Sequence, residues 1–393
     1  MNSINIKVNL ASRLLPFLLC LLLFTLPIFI PNWHGKIIII AALVWIFTAK
    51  RNQVVHLLKI NRQFQLLLIF IFISMTGLLY STNTKAAIAN LESLLPLCIL
   101  PLIIFSSDVK FDKKVIHYAF ICFVTGVITL NLASLTFISY DLWDPINLQS
   151  NIILANNAIF KIHPVFLSLY ISFSIFFLVD QFFPLDTTNR SKTGWILFGL
   201  VILIVYLIWI NSRTGILTFF VGSVFYIFYK FRNKQRYIFL FFLGLVLSLI
   251  IIIPFSRERF LKAPLRIIRG EATAVINDRN TYTLVARKQI LNCSLELVRG
   301  KEFFLGYGTG DYRDKIMECY KEKGYEYAYK ENLDSHNEYF AQLHSHGIIG
   351  VILFVMLLVI PFRQALKYKS ALLAVFIILF SVTAIFENVL SAQ

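Results

Sequence analysis

The sequence predicts an all-α polytopic membrane protein, about eleven to twelve transmembrane helices with one large helical loop on the outside. Three observations predict it. Hydrophobic residues make up 58% of the chain against 15% charged, with a mean hydropathy of +0.72, a balance that no water-facing surface can absorb. Apolar runs approaching the ~20 residues that a helix needs to cross ~30 Å of hydrocarbon recur along the chain. Those runs are continuous and do not alternate with period two, so helices, not a barrel, must satisfy the backbone polar groups.

Taken in order, the predicted spans lie near residues 14–30, 37–49, 64–80, 86–105, 115–140, 162–179, 195–210, 216–229, 238–255, 348–361 and 371–386. They divide the chain into a nine-span part (1–255), a polar loop (256–335) and a C-terminal pair of spans (336–393). Lys7 and Arg13 precede the first apolar run, but no small-residue cleavage site follows and Pro27 and Pro31 end it, so it reads as an uncleaved span. With the N-terminus inside, the inner segments carry 18 Lys and Arg, including Lys50, Arg51, Lys230, Arg232, Lys234 and Arg236, against four (Lys36, Lys85, Lys161, Arg213) in the short outer loops. Most of the net charge of +16 is thus a topology signal, and no basic stripe with stacking aromatics calls for a nucleic-acid partner.

Cys20, Cys98 and Cys122 fall in spans, where a thiol is a small apolar side chain. Cys293 and Cys319 both fall in the outer loop, where an oxidising compartment would allow them to pair or leave them as free thiols. Neither CxxC nor Cys/His spacing of the metal-binding kind occurs, so no metal and no cofactor is expected.

The loop is where chemistry is expected. Residues 256–301 carry a charge of +6 and residues 302–335 one of −3. The basic half suits phosphate or an anionic lipid head group, because Arg offers a planar donor fork to phosphate oxygens; an ordinary solvated face is the alternative. Residues 284–298 have apolar positions at helical spacing and read as an amphipathic helix bearing Arg287. The following FFLGYGTGDY, with glycines at 306, 308 and 310, lacks the Gly-Lys-Ser/Thr of a Walker loop and reads as a structural turn.

Two ionisable residues stand out at the outer ends of spans. His336, Tyr339, Phe340 and Leu343 recur at spacings of three and four, so a helix here carries His336 in its first turn, near the membrane surface. An imidazole there either takes a proton from an attacking hydroxyl or serves as a polar anchor. His344 and His346 are competitors, one a turn deeper and one beside a bend at Gly347. Arg213, in WINSRTGILTF, sits in an outer turn where a cation is disfavoured unless it snorkels or functions. His163, beside Pro164, begins a span on the same outer face.

SRTG around Arg213, the Arg287 helix followed by LGYGTGDY, and HNEYFAQLHSHGIIG from His336 together resemble the shared core of the O-antigen ligase and polymerase superfamily. SRERF at 256–260 and FEN at Glu387 are similar to family features more loosely. The resemblance covers mainly residues 205–390, and such proteins usually add a further short apolar segment where this chain reaches Gln393. It implies a metal-independent, inverting glycosyltransferase of the bacterial inner membrane with its site on the periplasmic side. The donor it implies is an undecaprenyl-pyrophosphate-linked glycan, and the acceptor a hydroxyl of lipid A-core or another glycan, amid membrane lipids. His336 would activate the acceptor, Arg213 and Arg287 would bind the pyrophosphate, and His163, Asn337 and Tyr339 would contact substrate. A polymerase would use the same donor with a second lipid-linked glycan as acceptor. A polysaccharide or lipid transporter would place charge near the middle of its spans, whereas the spans here are nearly free of charge, with Glu92 and Glu387 the main exceptions.

Overall fold

The computed structural model describes residues 2–28, 32–109, 111–136, 162–182, 190–269 and 279–390. The far ends of two predicted spans (29–30 and 137–140) and the loop charges Lys161, Glu271 and Asp278 lie outside them. The described residues are overwhelmingly helical, with one isolated bridge between Ala49 and Ser107.

Every predicted span is a helix. In chain order the helices are α1 (Asn2–Thr25), α2 (Trp33–Thr48), α3 (Arg51–Ile60), α4 (Arg62–Leu79), α5 (Thr84–Ser106), α6 (Lys113–Thr136), α7 (Pro164–Phe182), α8 (Arg190–Ile210), α9 (Arg213–Lys230) and α10 (Asn233–Ile252). The loop contains α11 (Pro254–Arg257), a π turn (Glu258–Lys262), α12 (Ala263–Ile268), α13 (Arg279–Glu296), α14 (Glu302–Leu305), α15 (Tyr312–Glu322) and α16 (Glu326–Lys330). The chain continues with α17 (Glu338–Lys367) and α18 (Ala371–Ala384). Among the described residues, seven helices are long and apolar enough to cross a membrane: α4, α5, α6, α7, α8, α10 and α17. Three shorter apolar helices lie at 13–25, 33–48 and 371–384. Outward faces carry Phe72, Trp195, Phe241 and Phe242, an apolar surface that suits lipid and not water.

The helices group into two compact units, 1–65 with 96–219 and 66–95 with 220–393. In the first, α6 lies against α1 so closely that a side chain at Gly126 would meet the Phe24 carbonyl at 2.1 Å. In the second, a core of Leu66, Phe70, Leu94, Leu353, Phe354 and Ala384 joins α4, α5, α17 and α18.

The polar loop is fastened to α17 by main chain. Gly347 takes φ 64°, ψ −161°, breaking the helix as the sequence expects of this bend. A helix interrupted there cannot satisfy the carbonyls of the preceding turn, which would otherwise be buried without donors. Tyr307 N–H donates to the His344 carbonyl (2.6 Å) and Gly308 N–H to that of Ser345 (3.0 Å), supplying what the kink removes. A Cβ on Gly306 would sit 2.5 Å from the Ser345 backbone, and one on Gly347 2.1 Å from the Phe304 carbonyl oxygen, so both must be glycine. The glycines of GYGTG therefore serve contact between elements, the structural reading of that turn. Asp311, next along, fixes the start of α5: its carboxylate accepts from the N–H groups of Thr82 (2.8 Å) and Asn83 (2.7 Å). Burial works against its charge, but these bonds and the Thr82 hydroxyl outweigh it and hold its pKa below the usual aspartate value.

Candidate active site

The second unit brings together two of the residues that the sequence singles out and adds a third. Arg287 projects from α13, which runs Arg279–Glu296, a little before the 284–298 expected. Its guanidinium donates to the Phe386 carbonyl (3.0 Å) and to Glu387 Oε1 (3.0 Å). The other carboxylate oxygen of Glu387 lies 2.8 Å from His336 Nδ1. One buried carboxylate thus joins the expected base to the expected phosphate-binding cation.

Glu387 does not sit within a span, where the sequence reading placed it. Helix α18 ends at Ala384, and Glu387 lies in the turn beyond, its N–H bonded to the Thr383 carbonyl at 3.0 Å. Its side chain is 7% exposed, so without Arg287 and the His336 N–H as partners the charge would cost several kcal/mol.

His336 is also not in the first turn of its helix. Asn337 is the N-cap of α17, its side-chain oxygen accepting from Phe340 N–H at 3.1 Å, and His336 precedes it with φ 41°. A non-glycine residue in that region costs ~1–3 kcal/mol and persists only where its surroundings fix it. Asp334 does part of this by accepting the His336 N–H at 2.9 Å.

The carboxylate dictates the tautomer. Glu387 can only accept, so the proton of the neutral imidazole lies on Nδ1 and the Nε2 lone pair is left for chemistry. Burial pulls the His336 pKa down, but the hydrogen bond and charge of Glu387, helped by Asp334 and opposed by Arg287, overcome it and raise it above the ordinary value.

The rival histidines are both buried and bonded to other groups of the protein. His344 is 1% exposed, its Nε2 bonded to the Ser294 carbonyl (3.0 Å) and its ring stacked on Phe340 and Tyr312. His346 is bonded at Nδ1 to Gln342 (3.1 Å) and at Nε2 to Thr309 (3.2 Å). Tyr339 donates to the Ser381 carbonyl (3.3 Å) and packs its ring on Phe354, tying α17 to α18.

Arg213 and His163 belong to the first unit. Asn211, at φ 50°, and Ser212 make the turn from α8 to α9, where Ser212 Oγ accepts the Gly215 N–H (3.2 Å) and Arg213 starts the helix half-buried. His163 is exposed immediately before α7. The two helices touch where a Cβ on Gly215 would lie 2.2 Å from that of Ser168, so both residues sit near one end of a close α7–α9 pair.

Cys293 and Cys319 are joined, tying α13 to α15. They pack with Ile290, Ile316, Tyr320 and Ala328 in a small core of the loop, which anchors the Arg287 helix. Lys323 and Glu296 form a second tie, 2.6 Å apart.

Residues 198–355 match the family model described as O-antigen ligase. Over that stretch the chain is similar to O-antigen ligases. No curated protein matches the chain. The O-antigen ligase match takes in Arg213, Arg287 and His336, whereas His163 and Glu387 lie outside it. Glu387 is the site residue that sequence reasoning undervalued; the signal available was an acidic side chain beside an apolar run, which is costly unless partnered.

Proposed function

We propose that this O-antigen ligase superfamily protein transfers a glycan from undecaprenyl pyrophosphate to a hydroxyl of an acceptor, a lipid A-core sugar in the ligase reaction. The reaction takes place on the periplasmic side of the bacterial inner membrane. The observation that carries the reading is Glu387 bound at once to His336 and Arg287. It prepares a base and a cation together, the two things that displacement of a pyrophosphate requires.

His336 Nε2 takes the proton of the acceptor hydroxyl as its oxygen attacks the anomeric carbon. The bond from that carbon to the pyrophosphate oxygen breaks on the opposite face, so a single displacement inverts the configuration. The imidazolium that forms is stabilised by Glu387. Two guanidinium donors of Arg287 are engaged by Phe386 and Glu387; the proposal assigns the rest of its five to the growing charge on the leaving phosphate. Pyrophosphate is already a good leaving group, so the proposed reaction is metal-independent. Arg213 joins the proposal on its SRTG sequence context. Ligase is preferred to polymerase here because the GYGTG and HNEYF elements together resemble that branch more closely.

Deleting the gene and analysing surface glycolipid tests the function. Accumulated lipid-linked polymer with bare core is the expected outcome, and core capped by a single repeat unit would make the protein a polymerase. Transfer by the purified protein should survive chelator; its loss would overturn the metal-free chemistry.

A further inference from the structure

The turn that carries His336 is held from outside its own helix. Asn388, 4% exposed, points its side-chain carbonyl oxygen at the chain on both sides of the histidine, accepting the Asn337 N–H at 2.9 Å and, in competition with the equally distant Asn337 carbonyl, the Ser335 hydroxyl at 3.2 Å. Its amide nitrogen faces the Tyr312 hydroxyl at 3.5 Å. The grip is reciprocated, because Glu338 Oε2 accepts the Leu390 N–H at 3.0 Å. Segments 334–338 and 387–390 therefore exchange hydrogen bonds immediately before, at and after the His336–Glu387 pair. Starting α17 does not need Asn388, since Asn337 already caps that helix with its own side chain. What Asn388 adds is confined to the residues flanking His336, whose left-handed backbone would relax if nothing fixed its neighbours.

We infer that Asn388 is a positioning residue, which sets the His336 imidazole against Glu387 by clamping Ser335 and Asn337 to one buried carbonyl oxygen. The inference rests on His336 being the base of the proposed transfer. The charged groups facing the imidazole are Glu387 from the turn after α18, Asp334 from its own turn and Arg287 from α13.

The test needs a readout that does not depend on substrate. Diethyl pyrocarbonate modifies neutral imidazole, so peptide mapping of the full-length protein over a pH series reports the titration of His336, whose side chain is 27% exposed. The Asn388→Ala titration should move downward, as that of Glu387→Gln does. Asn388→Asp keeps an acceptor for both partners and should titrate at or above wild type. Ser335→Ala, which deletes only one hydroxyl, should give a smaller downward shift and serves if Asn388→Ala does not fold. On lipid-linked donor, Asn388→Ala should lose about 10- to 100-fold in kcat with little change in KM, the mark of a misplaced reacting group. Wild-type titration in both Asn388→Ala and Ser335→Ala, with Glu387→Gln shifted, would overturn the inference. If these shifts occur but the wild-type protein transfers no glycan, the proposed function fails while the positioning role stands.

Discussion

Glu387 accepts the Nδ1 proton of His336 at 2.8 Å while its other oxygen takes a guanidinium proton of Arg287 at 3.0 Å. A carboxylate in that place raises the basicity of the imidazole and restrains the cation, so its removal should change pH dependence and rate together.

For Glu387→Gln the direction follows from the titration. His336 must be neutral to accept a proton, so transfer rises with pH through its pKa, which Glu387 holds above the ordinary ~6.5. Without the carboxylate the rising limb of the pH profile should move to lower pH. The plateau should fall by about 10- to 100-fold, because the imidazolium formed during attack loses its counter-charge. His336→Ala should lose ~10² to 10⁴ in turnover with no acid limb left. A purified Glu387→Gln enzyme with the wild-type pH profile would remove Glu387 from the reaction.

Arg287→Ala should abolish transfer while the protein still inserts and folds, and Arg213→Ala should do likewise. Arg→Lys at either position should restore activity only partly, since an ammonium keeps the charge but loses the donor fork. Inverting-transfer assays on purified protein decide it; full activity in both alanine variants would sink the cationic part of the proposal.

His344→Ala and His346→Ala should act on stability more than on chemistry. Each leaves buried partners short of a hydrogen bond, Ser294 in the first case and Gln342 with Thr309 in the second, at a cost of about 1–3 kcal/mol. Thermal unfolding in detergent should fall while kcat at low temperature stays near wild type. A catalytic loss as deep as that of His336→Ala would mean that the base has been misassigned.

Reducing Cys293–Cys319 should loosen the Arg287 helix. The bridge closes a sequence separation of 26, for which chain entropy gives about 3–4 kcal/mol. Reductant, or Cys319→Ser, should lower the temperature of half-inactivation and raise KM for the lipid-linked donor. Unchanged donor KM in the reduced protein would show that the bridge does not position Arg287.

The membrane helices were legible because each is a local event, a continuous apolar run in a solvent without hydrogen-bond partners. Arg287 was legible as a cation on an amphipathic helix of the polar loop, His336 as a base at the end of a span, and the Gly347 bend from a glycine beside a polar run. The backbone of His336 was not. Spacings of three and four placed it inside a helix, whereas Asn337 caps that helix and leaves the histidine outside it. Nor was the pairing of His336 with Glu387, 51 residues away in sequence. Pairings of that kind depend on how α17 and α18 pack, and no local pattern carries it.

The seam between the glycine turn and α17 is stitched through peptide groups, so it is blind to most side chains. At Tyr307 and Gly308 it uses N–H groups that any residue but proline supplies, and it insists on identity only where space or backbone angle forbids a Cβ, at Gly306, Gly308 and Gly347. Phe303, Phe304 and Leu305 lie just outside that constraint, with Phe304 and Leu305 exposed. Side chains at that exposed rim can therefore change without unpicking the join that keeps the loop seated, because the join is written into the main chain.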